Sequence, residues 1–131
     1  MYETLVLVDE SASLRLDRVR EAIAARFPAS APDAPTVTAD ERSVELAWDG
    51  FRLTIRHSAA AHVREESAEI AAAHGRDGPE RAAMAACRER LEISGDDDPG
   101  MDRFNDFCLV IEAIEGCGRV YPFDPNAGRM L

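Results

Sequence analysis

The sequence predicts an α+β fold: a mixed or antiparallel sheet of five to six short strands, with about four helices packed on one side. Short runs rich in β-branched or alternating apolar residues predict the strands, and longer stretches with apolar residues at helical spacing predict the helices. Glycine, proline and aspartate separate these segments. The predicted strands come in groups instead of alternating with helices, which favours an α+β arrangement over a βαβ one.

The chain length fits a single globular domain over residues 1–131. A hydrophobic fraction of 46% is sufficient for a packed core and argues against disorder. The sequence has no internal repeat. We therefore expect one core, formed without metal ions or disulfides.

The first element is a strand over residues 4–8, a continuous apolar run that predicts burial on both faces. A helix follows and ends at Pro28, because its apolar residues recur every three or four positions at Leu16, Val19, Ile23 and Phe27. The three prolines within residues 28–35 predict a loop.

A β-hairpin is predicted in the middle of the chain. Apolar and polar residues alternate over residues 43–48 and again over residues 51–56. Asp49-Gly50 between them is typical of a tight turn, since glycine reaches positive φ without steric cost. A short strand over residues 36–38 is expected to pair with this hairpin.

Three helices are predicted next. The first covers residues 59–74, and the second begins at Pro79 with an apolar stripe of Met84, Cys87 and Leu91. Residues 94–98 are predicted to form an acidic loop. The third of these helices is expected to begin at Asp98-Pro99 with an apolar face that includes Phe104, and two short strands over residues 120–123 and 129–131 close the chain.

The charge balance favours some partners over others. The chain has 15 basic residues, all of them arginine, and 25 acidic residues, for a net charge of −10. Nucleic acids and anionic membranes are bound through basic surfaces, so neither is expected as a partner. A basic protein would be attracted at long range. Solubility is an alternative explanation of the acidity.

Two sets of acidic residues are predicted to bind a partner, because they are densely charged and are not needed to pack the core. They are the loop residues Asp96, Asp97, Asp98 and Asp102, and the helix residues Glu65, Glu66 and Glu69. A calcium loop is excluded for the first set, because an EF-hand starting at Asp96 would place Phe107 where the bidentate glutamate belongs. A solvated loop in which Asp98 caps the following helix is the alternative.

No catalytic, metal or cofactor motif is found, so we expect a protein that is not an enzyme, holds no metal and needs no cofactor. The three histidines are too far apart for a zinc pattern, and no nucleophile lies within a known signature. Among the thiols, only Cys117, between two glycines, is a candidate for exposure and reactivity. The unpaired spacing of the cysteines and the absence of a signal-like N-terminal segment predict a cytoplasmic protein.

The sequence resembles small acidic bacterial immunity proteins, the inhibitors of polymorphic or type VI secreted toxins. The resemblance rests on Trp48-Asp-Gly-Phe51 in the hairpin, on the segment 63–70 and on Phe123-Asp-Pro125 with Gly128 near the end. It implies a cytoplasmic protein that neutralises a toxin by occupying its active-site cleft, and it assigns no individual residue.

Other classes remain open. A secretion chaperone or adaptor, usually an acidic dimer, has a similar length and composition, although a strand precedes the first helix here. A homodimer is therefore a possible assembly. A small enzyme would require a deep pocket that collects arginine, histidine and carboxylates. A nucleic-acid mimic would carry regularly spaced acids along one face.

Overall fold

The computed structural model describes residues 2–131, which form one antiparallel sheet and four helices. The sheet has seven strands in the order β2-β3-β4-β5-β1-β6-β7. The strands are β1 Glu3–Val8, β2 Thr36–Ala39, β3 Ser43–Trp48, β4 Phe51–Ser58, β5 Glu89–Gly95, β6 Val120–Asp124 and β7 Arg129–Met130. The helices are α1 Leu16–Arg26, α2 Ala61–His74, α3 Pro79–Ala85 and α4 Phe104–Glu115.

The α+β class and the four helices are confirmed, and the sheet has slightly more strands than expected. The helices lie on both faces of the sheet rather than on one side. Val6 and Val8 of β1 belong to the main core with α1 and α4, whereas Leu7 belongs to a second core with α2, α3 and β6. Successive side chains of a strand point to opposite faces, so the continuous apolar run of β1 requires cover on both.

The additional strand is β5. Leu91 was predicted to lie in the preceding helix and residues 94–95 in the acidic loop, so this strand was not predicted from the sequence. It lies at the centre of the sheet between β4 and β1. Leu91 and Ile93 are each only 1% exposed, and the register places Ile93 beside Ile55 of β4 and Thr4 of β1. Pairing on both sides stabilises this short segment as a strand, although Leu91 also fits the helical spacing from Met84.

Helix α4 begins at Phe104 and not at Pro99 as predicted. The Asp98 carboxylate accepts hydrogen bonds from the backbone N–H groups of Asp102 at 3.1 Å and Arg103 at 2.8 Å. Asp98 therefore stabilises the turn that precedes the helix, which is the role of an Asx residue in a loop. Its capping function was expected, but it acts one turn earlier in the chain.

Arg103 joins the proline-rich loop, β3 and the start of α4. Its guanidinium contacts the Asp33 carboxylate, lies 3.3 Å from Asp106 and stacks over the Trp48 ring at 4.9 Å from the centroid. The Trp48 indole N–H donates to the Asp33 carbonyl at 3.0 Å. One cation thus holds together three segments that are distant in the sequence.

Asp9, at the end of β1, is a buried carboxylate with three hydrogen bonds. The Ser11 hydroxyl and backbone N–H donate to one oxygen at 2.6 and 2.9 Å, and the Tyr121 hydroxyl donates to the other at 2.6 Å. The Ser11 hydroxyl, the Tyr121 hydroxyl and the Ser11 N–H lower the pKa of Asp9 from 3.8 to about 2. Burial and Asp9 in turn raise the pKa of Tyr121 to about 12.

No helix among residues 2–131 is long and apolar enough to cross a membrane.

Candidate functional site

An apolar groove of about 430 Å³ lies between α4 and the end of the sheet formed by β1, β6 and β7. Its floor consists mainly of aromatic and aliphatic side chains: Tyr2, Phe107, Cys108 and Ile111. The Tyr2 and Phe107 rings stack with their centroids 4.8 Å apart, which gives the floor a rigid aromatic centre.

The large exposed apolar side chains of the described chain converge on this groove. Met101 is 61% exposed, Phe104 38% and Leu131 56%, and all three line it. Clustered exposure of this kind is typical of interaction surfaces, whereas isolated exposed apolar residues are ordinary. Phe104 was expected to be buried on the helix face and instead lies half open at the edge of the groove.

Carboxylates surround the apolar centre. Glu3, Glu112, Glu115 and Asp124 line the groove, against a single guanidinium from Arg129. The groove therefore combines an apolar centre with an acidic rim, the general anatomy of a protein–protein interface. Such a rim favours a partner with basic residues around an apolar anchor.

The acidic loop predicted from the sequence borders this groove. Tyr2, on the groove floor, donates its hydroxyl to Asp98 at 2.6 Å, and Met101 extends the loop into the groove. Burial and the Asp98 carboxylate raise the pKa of Tyr2 to about 12. The bond from Tyr2, together with the N–H donors of Arg103 and Asp102, lowers the pKa of Asp98. Asp98 thus positions the loop against the groove.

The other loop acids have different environments. Asp96 is tied to the start of β4, because its N–H donates to the Arg52 carbonyl at 3.1 Å and its carboxylate accepts from the Arg52 N–H at 3.0 Å. Asp97 and Asp102 have exposed side chains. Neither of these two residues lines the groove, although both belong to the loop that borders it.

The second predicted set lies elsewhere. Helix α2 packs in the core on the opposite face of the sheet from α4, so Glu65, Glu66 and Glu69 are not part of the groove. Glu65 and Glu69 are exposed. Glu66 points to the sheet, with a carboxylate oxygen 3.4 Å from Arg90 Nη1 and 3.7 Å from His62 Nε2. The two acidic sets predicted from the sequence therefore lie on opposite faces of the sheet.

A second, polar cleft of about 730 Å³ lies on that opposite face, beside α2. Its polar lining comprises Glu3, Thr54, Arg56, Glu66, Arg90, Glu92 and Ser94. This cleft was not predicted, because its residues come from four separate elements and each fits an ordinary surface pattern in the sequence.

No cluster of three or more histidine, cysteine or acidic side chains suitable for a metal ion occurs within the described part of the chain. The three cysteines are free thiols. Cys117, the candidate reactive thiol, is only partly exposed and donates to the Ala113 carbonyl at 3.3 Å, and its burial raises the pKa of the thiol. A raised pKa lowers the thiolate fraction and disfavours reactivity.

Comparison with known proteins returned no match to any protein-family model, to any curated protein or to any solved structure.

Proposed function

We propose that this chain is a non-catalytic protein-binding protein, and specifically an immunity protein that inhibits a cognate bacterial toxin in the cytoplasm. The observation that carries the proposal is the apolar groove, where Met101, Phe104 and Leu131 are exposed together inside a rim of carboxylates. Interfaces are dominated by a few apolar anchors in such a setting.

The expected partner segment carries an apolar side chain flanked by lysine or arginine. The apolar anchor would cover the Tyr2–Phe107 stack, and the basic residues would meet Glu112, Glu115 and Asp102. A net charge of −10 would speed the encounter with a basic protein. Toxins that cleave nucleic acids require basic clefts to hold phosphates, so a partner of this charge is consistent with the resemblance to immunity proteins.

The proposed compartment is supported by the thiols. Cys87, Cys108 and Cys117 are all unpaired, as is usual for proteins kept in a reducing environment.

The test co-expresses this chain in a bacterial host with the products of the genes that flank its own, and any product that arrests growth is purified for binding measurements. We expect the wild-type chain to rescue growth and Met101→Ser/Phe104→Ser to lose rescue, with affinity at least about tenfold weaker because two interface anchors are truncated. Asp97→Asn/Asp102→Asn should mainly reduce the association rate and its salt dependence.

Glu65→Gln/Glu69→Gln is the matched control, because it removes two exposed carboxylates from the other face. Circular dichroism and thermal unfolding establish that each variant is folded. Unchanged rescue and affinity in the groove variant would refute the proposed surface, and loss of binding in the α2 variant alone would move the interface to the opposite face.

A secretion chaperone or adaptor is the second candidate, and the same groove favours it. An extended apolar segment of a secreted protein could lie along α4 in place of a toxin loop. Such chaperones usually form dimers, so the mass in solution separates the two functions. A monomer of 14.3 kDa supports the immunity function, and a stable homodimer that leaves the groove open supports the adaptor.

A further inference from the structure

The polar cleft beside α2 contains a buried guanidinium that is only partly hydrogen-bonded. The Arg90 residue is 5% exposed. Its Nε and Nη2 lie 2.9 and 2.7 Å from one oxygen of Glu92. Its Nη1 has no hydrogen-bond acceptor among residues 2–131, although it forms an ion pair with Glu66 at 3.4 Å.

The strand register places a second cation beside this group. Arg56 of β4 pairs directly with Glu92 of β5, so both side chains lie on the same face of the sheet as Arg90. Arg56 is exposed and lines the cleft, together with the Thr54 and Ser94 hydroxyl groups. The cleft therefore brings two guanidinium groups and two hydroxyl donors to one polar surface.

These guanidinium and hydroxyl donors are complemented by a hydrogen-bond acceptor and not by a cation. Buried donors in native proteins almost always have a partner, and a cation placed here would leave Arg90 Nη1 unsatisfied and face two positive charges. Arginine presents paired N–H groups that match the oxygens of carboxylate and phosphate.

We propose that this cleft binds a small oxyanion, a carboxylate or a phosphate group, through Arg90 Nη1 and Arg56. Glu66 forms only an ion pair with Arg90 Nη1, and it turns away when the anion binds. Its side chain is 42% exposed, so it can turn to solvent without a rearrangement of α2. Because Glu92 neutralises Arg90 and Glu3 lies at the rim, the site is nearly neutral once Glu66 has turned away, and its affinity is modest.

The cleft and the apolar groove lie on opposite faces of the sheet, and Glu3 is the one lining residue that they share. A small anion bound in the cleft would not occupy the surface that the proposed protein partner covers. The oxyanion site can therefore be correct if the proposed function is wrong, and the converse also holds.

The experiment follows the arginine Nε–Hε signals by NMR during titration with inorganic phosphate, and separately with acetate, at constant ionic strength. We expect saturable shifts of the Arg90 signal. Arg56→Gln should weaken binding by about tenfold, because it removes a charge-assisted hydrogen bond. Glu66→Gln should strengthen it by about threefold, because it removes a competing surface charge.

Arg52→Gln is the matched control: Arg52 lies on the same strand and the same face as Arg56, but outside the cleft. It should bind as the wild type does. Saturation by phosphate, by acetate or by both supports the site and identifies its preferred oxyanion. The proposal is overturned if the Arg90 signal responds to neither anion. That result would mean that water alone serves as the acceptor for Arg90 Nη1. Equal binding by wild type and Arg56→Gln, or weaker binding by folded Glu66→Gln, also overturns it.

Discussion

Replacement of Asp9 by asparagine should make the stability of this protein less dependent on acid pH. The asparagine side chain would keep the size and shape of the aspartate but could not carry the charge that Ser11 and Tyr121 stabilise. The Asp9 carboxyl has a pKa of about 2 in the folded chain against 3.8 for an ordinary aspartate. The folded state thus binds the proton more weakly than the unfolded state does.

This pKa difference sets the sign and size of the effect. A depressed pKa contributes stability above the unfolded value, and the contribution is lost as the pH falls from about 5 towards 2. At about 1.4 kcal/mol per pKa unit, Asp9→Asn should lower the free energy of unfolding by about 2 kcal/mol at pH 7. The difference from wild type should shrink to about 1 kcal/mol at pH 3.

Urea unfolding followed by tryptophan fluorescence at several pH values measures this difference. Asp77→Asn is the control, because it removes one carboxylate whose side chain is 93% exposed. Tyr121→Phe should lie between wild type and Asp9→Asn, since it removes one of the three hydrogen bonds to Asp9. A gap between wild type and Asp9→Asn that stays constant from pH 7 to pH 3 would refute the proposed depression of the Asp9 pKa.

Two further outcomes are expected. Arg103→Gln should lower the free energy of unfolding by about 1–2 kcal/mol and shift the Trp48 fluorescence, because it removes the ion pair with Asp33 and the cation–π contact; an unchanged melting curve would contradict this. A thiol reagent applied to the folded protein should modify Cys117 well before Cys87, which is fully buried and whose pKa is raised to about 12 mainly by that burial. Mass spectrometry of partly modified protein gives the order, and early modification of Cys87 would contradict its burial.

Several elements could be predicted from local sequence because local pattern and tertiary environment agree. The hairpin over residues 43–56 has alternating apolar residues on both arms and a glycine with a φ of 78° at its turn, so period and turn chemistry indicate the same structure. The buried run in β1 and the helical spacing in α1 were equally clear. In each case the predicted element is confirmed, with ends that differ by a few residues.

Strand β5 shows where local pattern is insufficient. Leu91 fits a helical stripe with Met84 and Cys87, and it fits alternation with Ile93 equally well. The choice between the two depends on β4 and β1, which pair with residues 89–95 from both sides. Those partners are more than 30 residues away along the chain, so no short sequence window contains them.

The candidate sites, like the strands, were predicted only in part from local sequence. Charge density identified the loop at Asp96–Asp98, which borders the groove, but it also suggested Glu65 and Glu69, which lie on the opposite face. The grouping of Leu131 with Met101 and Phe104 was not predicted, because Leu131 is distant from the other two in the sequence and each apolar residue is ordinary by itself.

The sequence by itself determined the α+β class, the four helices, most strands and the acidic character, because these depend on composition and on spacing within about ten residues. Only the tertiary structure decided that β5 is the central strand and that helices cover both faces. It alone brought Leu131 beside Met101 and Phe104 within an acidic rim, and it buried Arg90 so that Nη1 has no hydrogen-bond acceptor among residues 2–131. These features depend on contacts between residues that are far apart in the chain, and local periodicity carries no information about such contacts.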